Sequence, residues 1–326
     1  MILRFFKGSQ PALLFVIPLA GIIIWLPSFL SPPAVSPDPY PMPLYDLVDH
    51  IVSFHPLISL SAGLLFSVIT AFLIARINTR FILIPSRTYL PCIIFLLIAG
   101  FYPQLRCFHP AVAAAFFIVL AAGKMFNAYK QEGLSYAFFE SALLISIASL
   151  FYARASLYLI LVWIGLYYLR SFLWREWVLS VVGFITPYII LAGVYYVAGI
   201  KIGDLWTTVT GSFHTYHHTV FLAYPYYIFL VFLLLMIIMA SVRMFNMYQG
   251  LKVLIRQFSK VFFWLFLLSV LFLLLFFTGS PELIMIAGIA AAYVLSFYFF
   301  AIKSRIIGEI LFLLLILSFA AVQVLL

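Results

Sequence analysis

The sequence has few charged residues and almost no cysteine. Only 8% of its 326 residues are charged, whereas 67% are hydrophobic, which excludes a water-soluble core and shell. Its two cysteines, Cys92 and Cys107, form no metal-binding motif. In a bilayer every backbone polar group needs a partner within the protein, so the choice lies between helices and a closed barrel. The apolar runs are continuous and not alternating, which favours helices.

These apolar runs predict an all-α integral membrane protein. Taking roughly 20 apolar residues per crossing, we expect about eleven transmembrane helices, within a range of nine to twelve. The predicted spans are 11–30, 53–75, 88–103, 110–128, 134–152, 155–169, 177–198, 219–242, 261–279, 283–301 and 307–326. Nothing indicates a separate soluble domain, so residues 1–326 are expected to form a single polytopic membrane domain.

The positive charges divide unevenly between the two sides of these spans. With the N-terminus in the cytoplasm, fifteen of the eighteen lysines and arginines lie inside, and Arg106, Arg154 and Lys201 lie outside. The positive-inside rule favours this orientation, and eleven spans then leave the C-terminus outside. The net charge of +9 faces anionic headgroups, so membrane lipids are expected partners and nucleic acid is not.

Two predicted outer loops, 31–52 and 199–218, are longer than turns. The first begins with a proline-dense stretch and continues into a segment, 44–52, whose apolar residues recur at helical spacing. This spacing predicts a short amphipathic helix on the outer surface. Its acids are Asp46 and Asp49, and Asp38 lies just upstream.

The second outer loop holds Lys201 and three histidines, His214, His217 and His218. On a helix these histidines would share one face, which is the spacing that a metal site uses. Contact with a substrate or headgroup and ordinary interfacial packing are the alternatives. No HExxH or CxxC motif accompanies the histidines, so the sequence identifies no metal site by motif, and it identifies no cofactor.

The third and sixth predicted spans are short, with 16 and 15 residues. They cover roughly 22 to 24 Å, less than the hydrocarbon core of about 30 Å. Arg106 follows the third span and Arg154 precedes the sixth, so both side chains are expected in a recess below the outer surface. Because a guanidinium binds phosphate bidentately, Arg106, Arg154 and Lys201 are predicted to hold an anionic group such as a lipid phosphate. The alternative is that each pairs with a local acid or extends to the interface.

Glu140 is the one carboxylate that falls well inside a predicted span. In a transporter such an acid carries protons or cations, because burial raises its pKa. The other interpretation is a hydrogen-bonded acid that faces Ser141, Asn127 or a neighbouring helix.

Several short motifs resemble those of an uncharacterised family of bacterial polytopic inner-membrane proteins. They are RTYLP at Arg87–Pro91, FHP at 108–110, ASLFY at 148–152, RSFLWREW at Arg170–Trp177 and GFITPY at Gly183–Tyr188. The resemblance covers roughly the first 200 residues and implies a multi-pass protein of the bacterial cytoplasmic membrane. It implies no particular chemistry.

The layout is also similar to that of GT-C type membrane glycosyltransferases, which have an inside N-terminus and an acidic first outer loop. That similarity implies that Asp38, Asp46 or Asp49 is a catalytic base or a metal-binding acid, because the acceptor hydroxyl must lose a proton. It further implies that Arg106 or Arg154 holds a lipid phosphate.

Three functions therefore remain open, and the sequence does not decide whether the chain is an enzyme. The first is an assembly or scaffold subunit for cell-envelope biogenesis, with a membrane protein as its partner. The second is a GT-C-like transferase that uses a lipid-linked sugar at the outer face. The third is a transporter or flippase of an anionic or lipid-linked substrate.

Overall fold

In the computed structural model the described residues are 2–8, 12–33, 40–86, 88–129, 136–214, 224–247, 250–276, 282–302 and 304–324. This part of the chain forms α-helices and no strand. The helices are α1 (Ile2–Lys7), α2 (Leu13–Leu30), α3 (Pro43–Val52), α4 (Pro56–Phe81), α5 (Leu90–Ala99), α6 (Pro110–Asn127), α7 (Tyr136–Phe151), α8 (Leu159–Leu169), α9 (Trp174–Val197), α10 (Ile202–His214), α11 (Tyr224–Met247), α12 (Val253–Leu275), α13 (Leu283–Ala301) and α14 (Arg305–Val324). A first and a second 3₁₀ helix span Pro103–Arg106 and Ala153–Tyr158. The predicted all-α class is confirmed.

Each predicted span overlaps one helical segment, although several ends differ by more than four residues, as for 261–279 against α12. Within the described residues, eight helices are long and apolar enough to cross a membrane: α2, α4, α6, α9, α11, α12, α13 and α14. Shorter apolar segments occupy the other three predicted spans, namely α5, α7, and the second 3₁₀ helix together with α8. These helices support a membrane protein, while the count of eleven crossings stays a prediction.

The centre of the bundle is formed by α5 and α13. Every residue of α5 is buried, and so is nearly every residue of α13. The two helices pack against each other, and Gly288 permits this, because a Cβ there would lie 2.8 Å from Cγ2 of Ile98. Because protein surrounds α5, its length need not match the thickness of the lipid, which accounts for the short third span.

Two Phe-His-Pro segments begin neighbouring helices. His55 precedes α4 and His109 precedes α6, and in each case Nδ1 accepts a hydrogen bond of 3.2 Å from the backbone N–H two residues on. Proline follows at the first helical position, where its fixed φ suits a helix. The backbone N–H of Phe108 donates to the carbonyl oxygen of Ser59 at 2.9 Å, so α4 and α6 begin at the same end of the bundle.

We call this end the loop face, and it carries α3, α10 and the two 3₁₀ helices. Tyr45 of α3 stacks on Phe108 with ring centroids 5.9 Å apart, and α10 packs against the second 3₁₀ helix. The opposite end is the basic face, where α4, α6 and α8 finish. Its cations include Arg76, Arg80, Lys124, Arg170 and Lys260.

Helix α9 lies at the edge of the bundle. It packs mainly against α7, where a Cβ at Gly183 would overlap the carbonyl oxygen of Phe139. Along the whole of α9 only Glu176, Ser180 and Gly183 are buried. Most of its apolar surface therefore faces away from the protein.

Candidate functional site

Arg106, at the end of the first 3₁₀ helix, is only 1% exposed. Its Nε and Nη2 donate to the carbonyl oxygen of Gly100 at 2.8 and 2.7 Å. Its Nη1 donates to Oγ of Ser28 at 2.9 Å, and Nη2 also donates to the side-chain oxygen of Gln323. One guanidinium therefore connects α2, the end of α5 and α14.

The backbone of Arg106 is enclosed as tightly as its side chain. Its carbonyl oxygen accepts a hydrogen bond of 2.9 Å from Nε1 of Trp25, and a Cβ at Gly63 of α4 would overlap that oxygen. Burial lowers the pKa of Arg106 to about 10, which still leaves the guanidinium charged at neutral pH. These contacts give Arg106 a structural role, and anion binding there stays a prediction.

Arg154, in the second 3₁₀ helix, is 4% exposed and lies in a more aromatic setting. Its guanidinium carbon is 5.1 Å from the ring centroid of Phe276, at the end of α12. Its Nη1 lies 3.4 Å from the hydroxyl of Tyr152. The guanidinium is thus held partly by a cation–π contact, which stabilises a desolvated cation without neutralising it.

The two long loops meet next to Arg154. Oγ of Ser212 in α10 donates to the carbonyl oxygen of Tyr40 at 2.5 Å. Gly211 faces the ring of Tyr40, since a Cβ there would lie 2.7 Å from the ring. Ala153 packs in one apolar cluster with Met42 of the first loop and with side chains of α10. The fold therefore joins both loops at the second 3₁₀ helix.

Of the predicted site residues in the second loop, Lys201 is exposed just before α10. His214 is the last residue of α10, but its side chain lies outside the described part of the structure, and His217 and His218 lie outside it entirely. Among the described side chains, no group of three or more His, Cys, Asp or Glu could hold a metal ion. The metal interpretation of the histidines stays a prediction.

Asp46 and Asp49 of the first loop lie on α3, which covers the segment expected to be an amphipathic helix. Oδ1 of Asp46 is 3.7 Å from Nε2 of His50, and both side chains are exposed. Asp49 is partly buried, and Asp38 lies outside the described residues. The buried side chain of α3 is Tyr45, which faces the protein. The catalytic role of these acids stays a prediction.

Glu140 lies near the start of α7 at the basic face and pairs with Lys124 of α6. The distance from its Oε2 to Nζ of Lys124 is 2.6 Å, and both side chains are partly open to their surroundings. The pair connects two helices that pack closely. The ion-carrier role of Glu140 is not tested by this contact and stays a prediction.

Two further contacts between a basic and an acidic side chain were not anticipated from the sequence. Nε2 of His109 lies 3.2 Å from Oε1 of Glu282, and both side chains are largely buried. Since Nδ1 of His109 accepts a backbone hydrogen bond, its proton is assigned to Nε2, towards Glu282. Arg170 and Glu176 form the second pair, at 2.5 Å. The repeated Phe-His-Pro segment is the sequence signal that indicates the capping role of His109.

A cleft of about 580 Å³ opens between α11 and α12 near the basic face. These helices are consecutive, yet α11 packs against α13 and α14 whereas α12 packs against α13 and α8. The lining residues are Tyr168, Ser241, Val242, Met244, Phe245, Ser259, Lys260, Phe263 and Trp264. Nζ of Lys260 lies 4.7 Å from the ring centroid of Tyr168, and Nε1 of Trp264 lies 3.4 Å from its hydroxyl.

Comparisons with protein families, with curated proteins and with solved structures found no match to this chain. The resemblances to a bacterial inner-membrane family and to the GT-C layout therefore stay predictions.

Proposed function

We propose that the chain is a multi-pass protein of the bacterial cytoplasmic membrane, with eleven crossings and with the basic face in the cytoplasm. The concentration of cations at one end of the bundle supports this orientation. An odd number of crossings also agrees with the course of α14. That helix begins beside α1, where the backbone N–H of Leu3 donates to Glu309 at 3.2 Å, and it ends beside Arg106.

We further propose that the protein binds a long-chain anionic lipid or lipid-linked substrate, as a transporter or flippase does. The cleft between α11 and α12 is the observation that carries this proposal. Its volume of about 580 Å³ falls in the range of small-molecule sites. Its apolar wall suits an acyl or prenyl chain, and among the described residues that line it Lys260 is the one with a charged side chain.

The position of Lys260 suits the anionic head of such a ligand. The cation is held over Tyr168, and Trp264 lies beside the same ring. Aromatic side chains with a polar tip favour the level of the headgroups in a bilayer. Val242 and Phe245 are exposed on the other wall, so a lipid enters from the side without crossing water.

Photolabelling tests the cleft. The protein in liposomes is labelled with a phosphatidic acid that carries a diazirine on its acyl chain, and the labelled peptides are identified by mass spectrometry. Label is expected on α11 and α12 around Ser241 and Phe263. Ser241→Trp fills the cleft and should remove this label, whereas Val231→Trp, at an exposed position of the same helix, should not. Equal labelling of the exposed face of α9 would contradict a specific site.

Transport is tested by the movement of a fluorescent anionic lipid between leaflets of proteoliposomes. Lys260→Gln is expected to slow this movement, because it removes the cation that attracts the head. Lys252→Gln, which removes an exposed charge immediately before α12, is the matched control. If lipid moved no faster than in protein-free liposomes while the cleft was labelled normally, the protein would bind lipid but would not transport it.

A second candidate is the assembly subunit, and the exposed α9 favours it. Among the eight long apolar helices, α9 has the smallest buried share, and Gly193 on it has no atom within 4 Å of a Cβ position. Small residues let a second transmembrane helix approach closely. Copurification in mild detergent of one defined partner that is lost in Gly193→Leu, and kept in Val231→Leu, would establish this function. A protein that purifies alone, without a partner, would count against the assembly function.

A further inference from the structure

A second cavity, of about 190 Å³, lies at the basic face between the ends of α4 and α6. Its apolar wall consists of Leu73, Ile77, Phe81, Val119 and Leu120, and its polar side chains are Arg76, Arg80, Lys124 and Asn127. Gly123 leaves the recess open, since a Cβ there would only touch the side chain of Ile77, at 3.4 Å.

Helical spacing brings these side chains together. Leu73, Ile77 and Arg80 follow one another at intervals of one turn on α4, and Leu120 and Lys124 do so on α6. Each helix therefore presents an apolar residue deeper in the bundle and a cation at its end. The recess is therefore apolar at its deeper end and cationic at its outer end. This order matches the glycerol and the phosphate of a phospholipid.

The charges of the recess are only partly balanced. Lys124 is paired with Glu140 at 2.6 Å. Arg76 and Arg80 are exposed one turn apart on α4, and among the described residues no acid forms an ion pair with either. Arg80 makes a cation–π contact, with its guanidinium 5.5 Å from the ring centroid of Phe81. Two like charges one turn apart repel each other, and an anion between them removes that repulsion.

We propose that this recess is a binding site for the phosphate of an anionic phospholipid, with its glycerol against Leu120 and Val119. A zwitterionic headgroup fits less well, because its ammonium would meet three cations. Basic pockets between transmembrane helices at the cytoplasmic surface recognise anionic headgroups by this chemistry. The site lies between α4 and α6, away from the cleft of α11 and α12, so it does not depend on the proposed lipid transport.

Native mass spectrometry of the full chain in detergent measures this binding. The probes are dioleoyl-phosphatidylglycerol, dioleoyl-phosphatidylcholine and inorganic phosphate. The double variant Arg76→Gln/Arg80→Gln is expected to bind phosphatidylglycerol about thirtyfold more weakly, from the loss of two cations near the headgroup. Arg175→Gln/Lys252→Gln removes two exposed cations elsewhere and should change the affinity less than about threefold.

Two further variants separate a site from general surface charge. Glu140→Gln frees Lys124 and is expected to strengthen phosphatidylglycerol binding about fivefold. Gly123→Leu leaves every charge in place and fills the recess, so it should weaken binding as the double variant does. Thermal unfolding of each variant shows that the fold is kept.

Three results would overturn the proposal. They are equal losses in the two double variants, equal affinities for phosphatidylglycerol and phosphatidylcholine, and displacement of the lipid by inorganic phosphate at similar concentrations. The last result would assign the recess to a free phosphate. Photolabelling of the cleft between α11 and α12 is measured in the same variants. Failure of the proposed headgroup site is therefore distinguishable from failure of the proposed transport.

Discussion

Arg106 and Arg154 share one sequence context and differ in structure. Each lies beside a short apolar helix, in a 3₁₀ helix at the loop face, and each is buried. Arg106 donates to oxygens of Gly100, Ser28 and Gln323. Arg154 instead lies over the ring of Phe276, in the segment where the two long loops meet.

The partners of a buried arginine determine its role. Oxygen acceptors from three parts of the chain make Arg106 a connection between helices, because most of its N–H groups are satisfied inside the protein. Arg154 lies instead over the ring of Phe276, whose face attracts the guanidinium charge. Because Arg154 lies where the two long loops meet, it is the better candidate of the two for contact with a ligand at the loops.

The largest effect is expected for Arg106→Leu. The change leaves the carbonyl of Gly100 and the side chains of Ser28 and Gln323 without their donor, and should lower the free energy of unfolding by about 3 to 5 kcal/mol. Arg106→Lys keeps the charge but lacks the planar fork, so it should recover part of this loss. Unfolding in mixed detergent micelles measures both. Wild-type stability in Arg106→Leu would contradict the structural role.

Gly63→Ala tests the packing of α4 against the backbone of Arg106. The new Cβ overlaps the carbonyl oxygen of Arg106, and α4 must shift, so the loss should be about 1 to 3 kcal/mol. Gly193→Ala on α9 is the matched control, because a Cβ there meets open space. It should be neutral or stabilising by up to about 1 kcal/mol, since alanine favours a helix. Equal effects of the two changes would argue against close packing at Arg106.

A smaller effect is expected for Arg154→Gln. Loss of the cation over Phe276 should cost about 1 to 2 kcal/mol, well below the loss for Arg106→Leu. Phe276→Leu should produce a similar loss, and the double variant should lose less than the sum, because both changes remove one contact. Strict additivity in this cycle would show that the ring does not stabilise the guanidinium.

The smallest effect on stability is expected for Asp46→Asn and Asp49→Asn. Asp46 makes an exposed contact with His50, and such contacts contribute less than about 1 kcal/mol. Surface glycan in cells that carry each variant, measured by lectin binding, tests the transferase prediction for this loop. Loss of glycan with unchanged protein level would support an enzyme. Wild-type glycan in both, and in Asp38→Asn, would remove that function.

Much of the helical layout could be predicted from local sequence. Continuous apolar runs indicated the helices, because hydrophobic length and backbone satisfaction are local properties. The partners of the charged residues could not be predicted. Gln323 reaches Arg106 across 217 residues of sequence, and Glu140 meets Lys124 only because α7 packs on α6. The cleft at Lys260 was also missed, since it depends on how α11 and α12 diverge.

By itself the sequence determined that the chain is helical and apolar and that its cations concentrate in alternate connections between the predicted spans. These are properties of composition and order. Only the tertiary structure decided which charges are satisfied, where two loops meet and where clefts remain, because distant segments contribute those contacts. Arg106 and Arg154 are alike in sequence context, and their neighbours in space made one a connection between helices and left the other beside the loops.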